Sequence, residues 1–458
     1  MPTNCGCGDY SRSQALRRVA AEAGKGLPAI ERGMPLPAGT GLTRRSFVSR
    51  ASGLALAVYG AASLGPKAFE EGIAAAAAQA ANQRVLVSVF LSGGVDSLTL
   101  LAPTGHARYG VLRPTLAMPA GDGTAFAEDP SLRWHPSVAS LATLHAEGKL
   151  TVFPAVGYTD ANQSHFTSRH YWEVGEVNPF GRWGWLGRFL DRHGAPDNPL
   201  QGLTLDWDLQ PSLAPQQVPV ATVARPDQYD FWAPGVWGDV EQRMLEAFGD
   251  LGEPATADPG LRYAREQVTA TSTLREQLVP FQAGYSTPPG VTYPDSEFGR
   301  RLAALAAMIA GGLPLRVVAI ETGGYDTHSN QVQTLAPDLQ EVSQSLLAFQ
   351  RDLEARTLAD RVLVHVWSEF GRRPQENGSG TDHGAAGVGL VMGSKASGQM
   401  VGSFPGIEDA QLDNRDNLRA TSDFRGAYCA LLEQWLGVDA GGVIPNASSF
   451  TRPTLVEP

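Results

Sequence analysis

Four stretches of the chain are almost continuously apolar and rich in β-branched residues. They lie at 84–91, 150–156, 315–321 and 361–367. A strand covered on both faces has such a continuous run, whereas a strand with one solvated face alternates between apolar and polar positions. Each stretch therefore predicts a buried strand.

Helical patterns precede the last three of these strands. They span 136–147, 298–310 and 335–353, and in the last two the apolar residues recur every three or four positions. Alternation of strands and helices predicts right-handed crossovers and a largely parallel sheet. We expect an α/β fold with a mostly parallel central sheet and helices on both faces. The segment 195–295, which contains many prolines, breaks this rhythm and is interpreted as an insertion or cap.

A different pattern occupies the first 80 residues. An arginine pair at 44–45 precedes an apolar stretch at 51–65, and the small residues at 78 and 80 have the spacing of a cleavage site. This order is typical of a twin-arginine export signal, here behind a disordered extension. The alternative is a cytosolic helix that happens to begin with two arginines. The apolar stretch of about 15 residues is too short for a comfortable membrane span.

The signal interpretation sets the expected location and partners. Residues 1–80 would form the signal region, and 84–458 the α/β domain, exported to the periplasm or beyond by the twin-arginine translocation machinery. Membrane contact is expected only through the signal segment. Because this route moves proteins already folded, it suits a domain that acquires a metal in the cytoplasm.

Charge and cysteine content limit the partners and the covalent cross-links that we expect. The net charge is −11, and the first 80 residues hold 9 Lys and Arg against 5 Asp and Glu, so the remainder carries −15. A surface this acidic repels nucleic-acid phosphates, and no nucleic-acid partner is expected. Cys5 and Cys7 lie in the signal region, which leaves Cys429 alone in the mature chain without an internal disulfide.

Each of the four predicted strands leads into a loop with polar residues. The loops are 92–97, 162–166, 322–328 and 368–384. Because the carboxyl ends of parallel strands share one edge of a sheet, ligands bind there. The polar residues that we expect to meet at this edge are Asp96, Ser164, His165, Asp326, His328, Asp382 and His383.

This set of side chains predicts a metal site. Mixed Asp and His ligands suit zinc, manganese or iron, and carboxylate-rich sites admit magnesium or calcium. A divalent ion would polarise an ester oxygen and activate water or Ser164 as the nucleophile. Arg372 and Arg373 are candidates to hold an anionic substrate. The candidate ligands are Asp96, His165, Asp326, His328, Asp382 and His383.

Several of these residues also have a structural interpretation. Asp96 could close a Gly-Gly turn, Ser164 could belong to an ordinary turn, and His165 is equally well explained as a hydrogen-bonded structural histidine. Glu369 either orients a ligand or pairs with an arginine. Six of the nine tryptophans fall between 172 and 237, where they form either a sugar-stacking wall or a packed aromatic core.

Six motifs resemble those of a known family. They are GGVDSL, SHF with YWEVG, GWLGRFLD, GGYDTH, SEFGRRPQENGSGTDHG and TSDFRGAYCALLEQWLG, and they extend from about residue 84 to the C-terminus. They resemble the bacterial exported family called domain of unknown function 1501, which is similar to the alkaline phosphatase and sulfatase superfamily. The resemblance implies an alkaline-phosphatase-like fold and a hydrolytic metal site. It implies a position near the nucleophile for Ser164, and as ligands Asp96, Asp326, His328, Asp382 and His383.

The chain departs from that superfamily in two ways. Two-metal members take a further histidine from near the C-terminus, but no histidine follows His383 here. Either His165 substitutes for it or one metal site is lost. The spacing between Asp326 and His328 is also tighter than the Asp-x-x-x-His of those enzymes.

Together these features lead to one main hypothesis. The chain is expected to be an exported, metal-dependent hydrolase of phosphate or sulfate esters. The alternative is a non-catalytic cell-envelope or polysaccharide-binding protein that retains the fold and takes a glycan. A third hypothesis is an accessory subunit of another exported protein.

Overall fold

The computed structural model describes residues 34–39, 56–59, 83–223, 239–250 and 285–457, with parts of 71–77 and 254–281. The arginine pair and the predicted cleavage site lie outside these residues. Among the described helices, none is both long and apolar enough to span a membrane.

The four predicted buried strands are confirmed as the second, sixth, ninth and tenth strands of the described chain. The strands in chain order are β1 (Leu56–Tyr59), β2 (Val85–Ser92), β3 (Leu101–Ala102), β4 (Thr124–Ala125), β5 (Arg133–Trp134), β6 (Leu150–Gly157), β7 (Gly202–Thr204), β8 (Val220–Val223), β9 (Val317–Gly323), β10 (Val362–Trp367), β11 (Arg372–Glu376), β12 (Thr381–His383), β13 (Gly387–Met392) and β14 (Ser422–Asp423).

The three predicted helices are also confirmed, with shifted ends. The first is shorter than predicted because Pro136–Val138 forms a 3-10 turn before it, and the last begins four residues early. The α-helices are α1 (Ser97–Leu100), α2 (Tyr109–Leu112), α3 (Ala139–Ala146), α4 (His165–Val174), α5 (Trp185–His193), α6 (Asp239–Asp250), α7 (Glu297–Ala310), α8 (Gln331–Ala355) and α9 (Phe424–Ala430).

The chain divides into two compact units. The first comprises Met1–Val85, Asn178–Ser286 and Ala304–Ile320. Its strands follow the order β1-β8-β7-β9, in which β7 runs parallel to β8 and β9 and β1 runs antiparallel to β8. The segment 195–295, interpreted from the sequence as an insertion or cap, thus supplies two sheet strands. They were not predicted because they are only three and four residues long.

The second unit comprises Leu86–Val177, Thr287–Ala303 and Glu321–Pro458. Its strands follow the order β2-β10-β13-β6-β14. Here β13 is antiparallel to β10 and β6, while β14 is parallel to β6. The predicted α/β class with a large, mostly parallel central sheet is confirmed, and β13 is an antiparallel strand that the sequence did not predict.

Aromatic side chains form part of the core of the second unit. Trp172 stacks on Trp367 with ring centroids 5.6 Å apart and on Phe424 at 4.5 Å. In the first unit Trp185 is fully buried, whereas Trp207 is 48% exposed. Trp172 and Trp185 therefore fit the packed-core interpretation of the tryptophan-rich segment.

Strand ends of the second unit carry the polar loops. β2 ends at Ser92, before Gly93 and Gly94, and β10 ends at Trp367, before Glu369. The helix α4 begins at His165, a few residues after β6. The strands β11 and β12 form a separate antiparallel ribbon in which Arg372 lies opposite His383. These connections bring distant parts of the chain to one place.

Candidate metal centre

Three imidazole rings converge on the carboxylate of Asp326. The Nε2 atom of His165 lies 3.5 Å from Oδ2, and the Nε2 atoms of His328 and His383 lie 3.1 and 3.4 Å from Oδ1. The Nε2 atoms of His328 and His383 are 3.0 Å apart. Four of the six ligands predicted from the sequence therefore meet in one cluster.

The second nitrogen of each ring faces an oxygen atom. The Nδ1 atom of His165 donates to Oε1 of Glu369 at 2.8 Å, and that of His383 donates to the carbonyl oxygen of Gln163 at 2.7 Å. The Nδ1 atom of His328 is 3.4 Å from Oδ1 of Asp382. Metal-binding histidines have this arrangement, in which an acceptor holds one ring nitrogen and the other faces the ion.

The spacing within the cluster also fits one ion. Zinc ligands at 2.0–2.1 Å in a tetrahedron are about 3.3 Å from one another. The distances from the histidine Nε2 atoms to Asp326 run from 3.1 to 3.5 Å. His165, Asp326 and His383 each present one potential ligand atom, and these three atoms lie within 4.8 Å of one another. The donor set therefore fits a divalent metal.

Glu369 orients His165 and is itself held by the Gly-Gly turn. Its carboxylate is fully buried and accepts from the backbone N–H groups of Gly93 at 3.1 Å and Gly94 at 3.1 Å. The hydroxyl of Ser368 donates to it at 3.0 Å. The structure therefore supports the interpretation that Glu369 orients a candidate metal ligand, His165, and not the interpretation that it pairs with an arginine.

Gly94 cannot be replaced without disturbing this arrangement. Its φ is +71°, and an added Cβ would overlap a ring carbon of Phe370. We expect Gly94→Ala to lower the free energy of unfolding by about 2–5 kcal/mol, the sum of left-handed strain and overpacking. Gly148 has the same φ of +71° with no atom within 4 Å of the added Cβ. Gly148→Ala should therefore cost only about 1–2 kcal/mol in urea unfolding. Equal costs for the two variants would contradict this assignment.

Asp96 does not lie in the cluster, contrary to the sequence prediction. Its buried carboxylate accepts from Arg113 Nη1 at 2.5 Å and Nη2 at 2.9 Å, from Gln331 Nε2 at 2.5 Å and from the hydroxyl of Thr99 at 2.7 Å. Burial would raise the pKa of Asp96, but the ion pair with Arg113 holds it below its usual value. These partners occupy both oxygens, so the structure gives Asp96 the role of a buried ion-pair partner.

Arg372 also differs from its predicted role in substrate binding. The side chain is buried, and Nε donates to the carbonyl oxygen of Gly94 at 2.7 Å, Nη1 to that of Thr381 at 2.8 Å and Nη2 to that of Gly93 at 2.5 Å. Nη2 also donates to Oδ1 of Asp326 at 2.5 Å. The guanidinium is therefore committed to the protein itself, and it fixes the carboxylate on which the histidines converge.

The remaining predicted residues lie at the edge of the cluster. Ser164 immediately precedes α4, and its hydroxyl does not cap that helix. It is flanked by Gln163 and His165, both of which contact the cluster or its histidines. Asp382 accepts from Nδ2 of Asn377 at 2.9 Å. The side chains of His328 and Asp382 are 25% and 56% exposed, against 2% for His165, so the cluster opens to solvent on their side.

The cluster shifts the protonation of its own groups. Burial would raise the pKa of Asp326, but the three histidines and Arg372 lower it well below its usual value. Burial lowers the pKa of His165, but Asp326 and Glu369 outweigh it and raise the pKa to about 9. Burial and the charges of His165 and Arg372 lower the pKa of His383 to about 4. At neutral pH Asp326 is thus ionised and His383 neutral, the forms in which they bind metals, whereas His165 is protonated and must release a proton to bind one.

One supporting residue was missed by the sequence analysis. Gln163 accepts from His383 through its backbone, and its side-chain Nε2 donates to the carbonyl oxygen of His383 at 2.7 Å and to Oδ1 of Asn417 at 2.9 Å. A contact made by a backbone carbonyl leaves no signature in the residue type, so no motif could have identified it.

Comparisons with solved structures give matches of low similarity. A protein of the alkaline phosphatase superfamily from Vibrio parahaemolyticus is 10% identical, covering 81% of this chain and 71% of that chain, with a TM-score of 0.35. A sulfatase from Pseudoalteromonas sp. is 11% identical, with coverages of 80% and 70% and a TM-score of 0.33. A phosphonate monoester hydrolase from Silicibacter pomeroyi is 10% identical, with coverages of 81% and 76% and a TM-score of 0.29. These matches say nothing of this chain's activity.

No curated protein is significantly similar in sequence. The model of the family described as "protein of unknown function (DUF1501)" matches residues 261–427, which include Asp326, His328, Glu369 and His383. The match is shorter than the motif resemblance, which begins near residue 84. It nevertheless confirms that resemblance over residues 261–427.

Proposed function

We propose that this protein is an exported, metal-dependent hydrolase of phosphate or sulfate esters. One observation carries the proposal: the Nε2 atoms of His165, His328 and His383 converge on the carboxylate of Asp326. His165 and His383 each donate through the other nitrogen to a protein oxygen. A divalent ion at this point would act as a Lewis acid toward an ester oxygen.

The donor set favours zinc among the divalent ions. Three imidazoles and one carboxylate suit zinc or another late transition metal, whereas magnesium and calcium prefer a shell of oxygen ligands. Arg372 donates to Oδ1 of Asp326, which leaves Oδ2, the oxygen nearest His165, as the atom less engaged by that guanidinium. The cluster thus has the composition of a one-metal site.

Ser164 is the proposed nucleophile of this hydrolase. It lies between Gln163 and His165, and it is only partly buried. A serine beside a metal ion loses its proton more readily because the ion stabilises the alkoxide. The alternative nucleophile is a metal-activated water, for which the exposed side of the cluster at His328 leaves access.

Export by the twin-arginine route belongs to the same proposal. The arginine pair at 44–45, the apolar stretch at 51–65 and the small residues at 78 and 80 support it. Four residues of this stretch, Leu56–Tyr59, pair with Val220–Val223 as the first strand in the sheet order, so cleavage near residue 80 would remove this strand from the sheet. Localisation of the full-length chain with Arg44→Lys and Arg45→Lys tests the route.

Metal content and turnover of the purified protein test the catalytic proposal. We expect about one zinc ion per chain and hydrolysis of at least one aryl phosphate, phosphodiester or aryl sulfate, with loss of both after chelation. Ser164→Ala should keep the metal and lower turnover about 1000-fold or more if the serine is the nucleophile. Thr167→Ala removes another partly buried hydroxyl of the same segment and should have no effect.

The outcomes separate the hypotheses. Absence of both metal and turnover in the wild-type protein refutes the hydrolase. Binding of a glycan without turnover would favour the non-catalytic alternative. Full turnover of Ser164→Ala would leave the metal site in place and assign the attack to water.

A further inference from the structure

Gln331 forms side-chain hydrogen bonds to three separate parts of the second unit. It is the first residue of α8 and is only 2% exposed. Its Nε2 atom donates to Oδ2 of Asp96 at 2.5 Å. Its Oε1 atom accepts from the hydroxyl of Thr381 at 2.8 Å and from that of Thr327 at 3.1 Å. One amide group therefore connects the loop after β2, the loop after β9 and the strand β12.

The carboxylate of Asp96 fixes the orientation of this amide group. An ionised carboxylate accepts hydrogen bonds and donates none, so the amide nitrogen of Gln331 must face Asp96. The amide oxygen then faces the two threonine hydroxyls, and both must donate to it. Thr327 and Thr381 are 3% and 0% exposed, so each hydroxyl would lose a buried partner if the amide were removed.

Both threonines are close in sequence to candidate metal ligands. Thr327 lies between Asp326 and His328, and Thr381 lies two residues before His383. The backbone N–H of Thr381 also donates to the carbonyl oxygen of Thr327 at 3.1 Å. Gln331 thus holds together the two segments that carry three of the four candidate ligands.

A second connection leads from Gln331 to the carboxylate at the centre of the cluster. The carbonyl oxygen of Thr381 accepts from Nη1 of Arg372 at 2.8 Å, and Nη2 of Arg372 donates to Oδ1 of Asp326 at 2.5 Å. A shift of Thr381 would therefore also move the guanidinium that fixes the Asp326 carboxylate.

From these contacts we propose that Gln331 is a positioning residue of the metal centre, which sets the separation between segments 326–328 and 381–383. The inference rests on the metal site of the proposed function. Residues that orient metal ligands change metal affinity by about 10- to 100-fold when they are replaced. Because Gln331 contacts the neighbours of the ligands and not the ligands themselves, we expect the lower end of this range.

Zinc affinity of the folded full-length protein, measured by competition with a chromogenic chelator, tests this role. Gln331→Met keeps the length of the side chain but removes the amide group, and it should weaken zinc binding about 10-fold. Gln350→Met is the matched control. Gln350 is a buried glutamine near the other end of α8, and it donates to Glu354 at 2.8 Å and to Ser394 at 2.9 Å. This control removes the same atoms from the same helix and should bind zinc as the wild type does.

The double variant Thr327→Val with Thr381→Val separates positioning from a general loss of stability. Valine has no hydroxyl, so Gln331 cannot act through these two residues in that background. Adding Gln331→Met to the double variant should then weaken zinc binding by less than about 2-fold, because the effects of interacting residues are not additive. A loss of about 10-fold in both backgrounds would show that Gln331 does not act through the threonines.

The results distinguish this inference from the proposed function. Wild-type protein that binds no zinc refutes the metal centre and with it this role. Wild-type affinity in Gln331→Met leaves the metal centre in place and overturns the positioning role alone. So does an equal loss of affinity in Gln331→Met and Gln350→Met. If Gln331→Met does not fold, Thr381→Val removes one of the two hydroxyls and should weaken zinc binding about 3-fold, and unchanged affinity in that variant also overturns the role.

Discussion

Truncation of His383 to alanine is expected to weaken zinc binding about 100- to 1000-fold, because alanine has no atom that can replace the imidazole nitrogen as one of the four proposed ligands. Zinc sites bind with about 10–16 kcal/mol in total, so one ligand contributes roughly a quarter of that free energy. The ring is nearly buried, and its Nε2 lies 3.4 Å from Asp326 and 3.0 Å from Nε2 of His328. Competition with a chromogenic chelator measures the loss, and turnover should fall with it.

His365→Ala is the matched control for this variant. His365 is a buried histidine on β10, and its ring packs edge-on against Tyr428 with centroids 5.5 Å apart. Burial lowers the pKa of His365 to about 3, so the ring is neutral at pH 7, as that of His383 is. The control removes the same atoms from the same unit without touching the cluster. Equal zinc affinity in His383→Ala and His365→Ala would contradict the proposed ligand set.

His383 is a better choice for this test than Asp326. Asp326 accepts from the buried Arg372, so its removal leaves an uncompensated guanidinium as well as an incomplete site. Breaking a buried pair in this way costs about 3–5 kcal/mol of stability. Loss of metal in Asp326→Ala could therefore result either from the missing ligand or from lower stability, whereas His383→Ala removes a ligand without breaking this ion pair.

Replacement of Arg113 by leucine is expected to lower the free energy of unfolding by about 3–5 kcal/mol at pH 7. Both partners of the Arg113–Asp96 pair have fully buried side chains, and the variant leaves the Asp96 carboxylate without its counter-charge. The double variant Arg113→Leu with Asp96→Asn should cost less than the sum of the two single variants, because neither charge is then left alone. Urea unfolding measures all three.

The pH dependence of this pair follows from the direction of its pKa shift. The pKa of Asp96 is lower in the folded protein than in the unfolded chain. The pair therefore stabilises the protein fully above the unfolded pKa of about 3.9, and the contribution is lost as the pH falls through the folded pKa. The difference between wild type and Arg113→Leu should shrink in acid. A difference that stays constant from pH 7 to pH 3 would contradict the assignment.

Asp96→Asn should also retain zinc, since Asp96 lies outside the cluster.

The main strands and helices could be predicted because their patterns are long. The continuous apolar runs at 84–91, 150–156 and 361–367 correspond to fully buried strands. Their carboxyl ends lie near one another, so the predicted meeting of His165, Asp326, His328 and His383 followed from topology. The six-residue strand β13 was missed, and its antiparallel direction was missed with it.

The roles of Asp96 and Arg372 could not be predicted from residue type. A carboxylate after a strand binds a metal or a guanidinium equally well, and only the position of Arg113, 17 residues away, decides for Asp96. The Gly-Gly turn was recognised, but its two amide groups serve Glu369, more than 270 residues away. Pairings at such separations are set by the packed fold and not by local sequence.

The hydrogen bonds of the Arg372 guanidinium have a consequence for biosynthesis. Its guanidinium joins the loop after β2, the loop after β9 and the strand β12, and its bond to Gly93 spans 279 residues of sequence. A nascent chain that has not yet emerged beyond residue 383 cannot assemble the cluster. Metal uptake at the proposed site would therefore report that the chain has emerged beyond residue 383 and that these three parts of it have packed together.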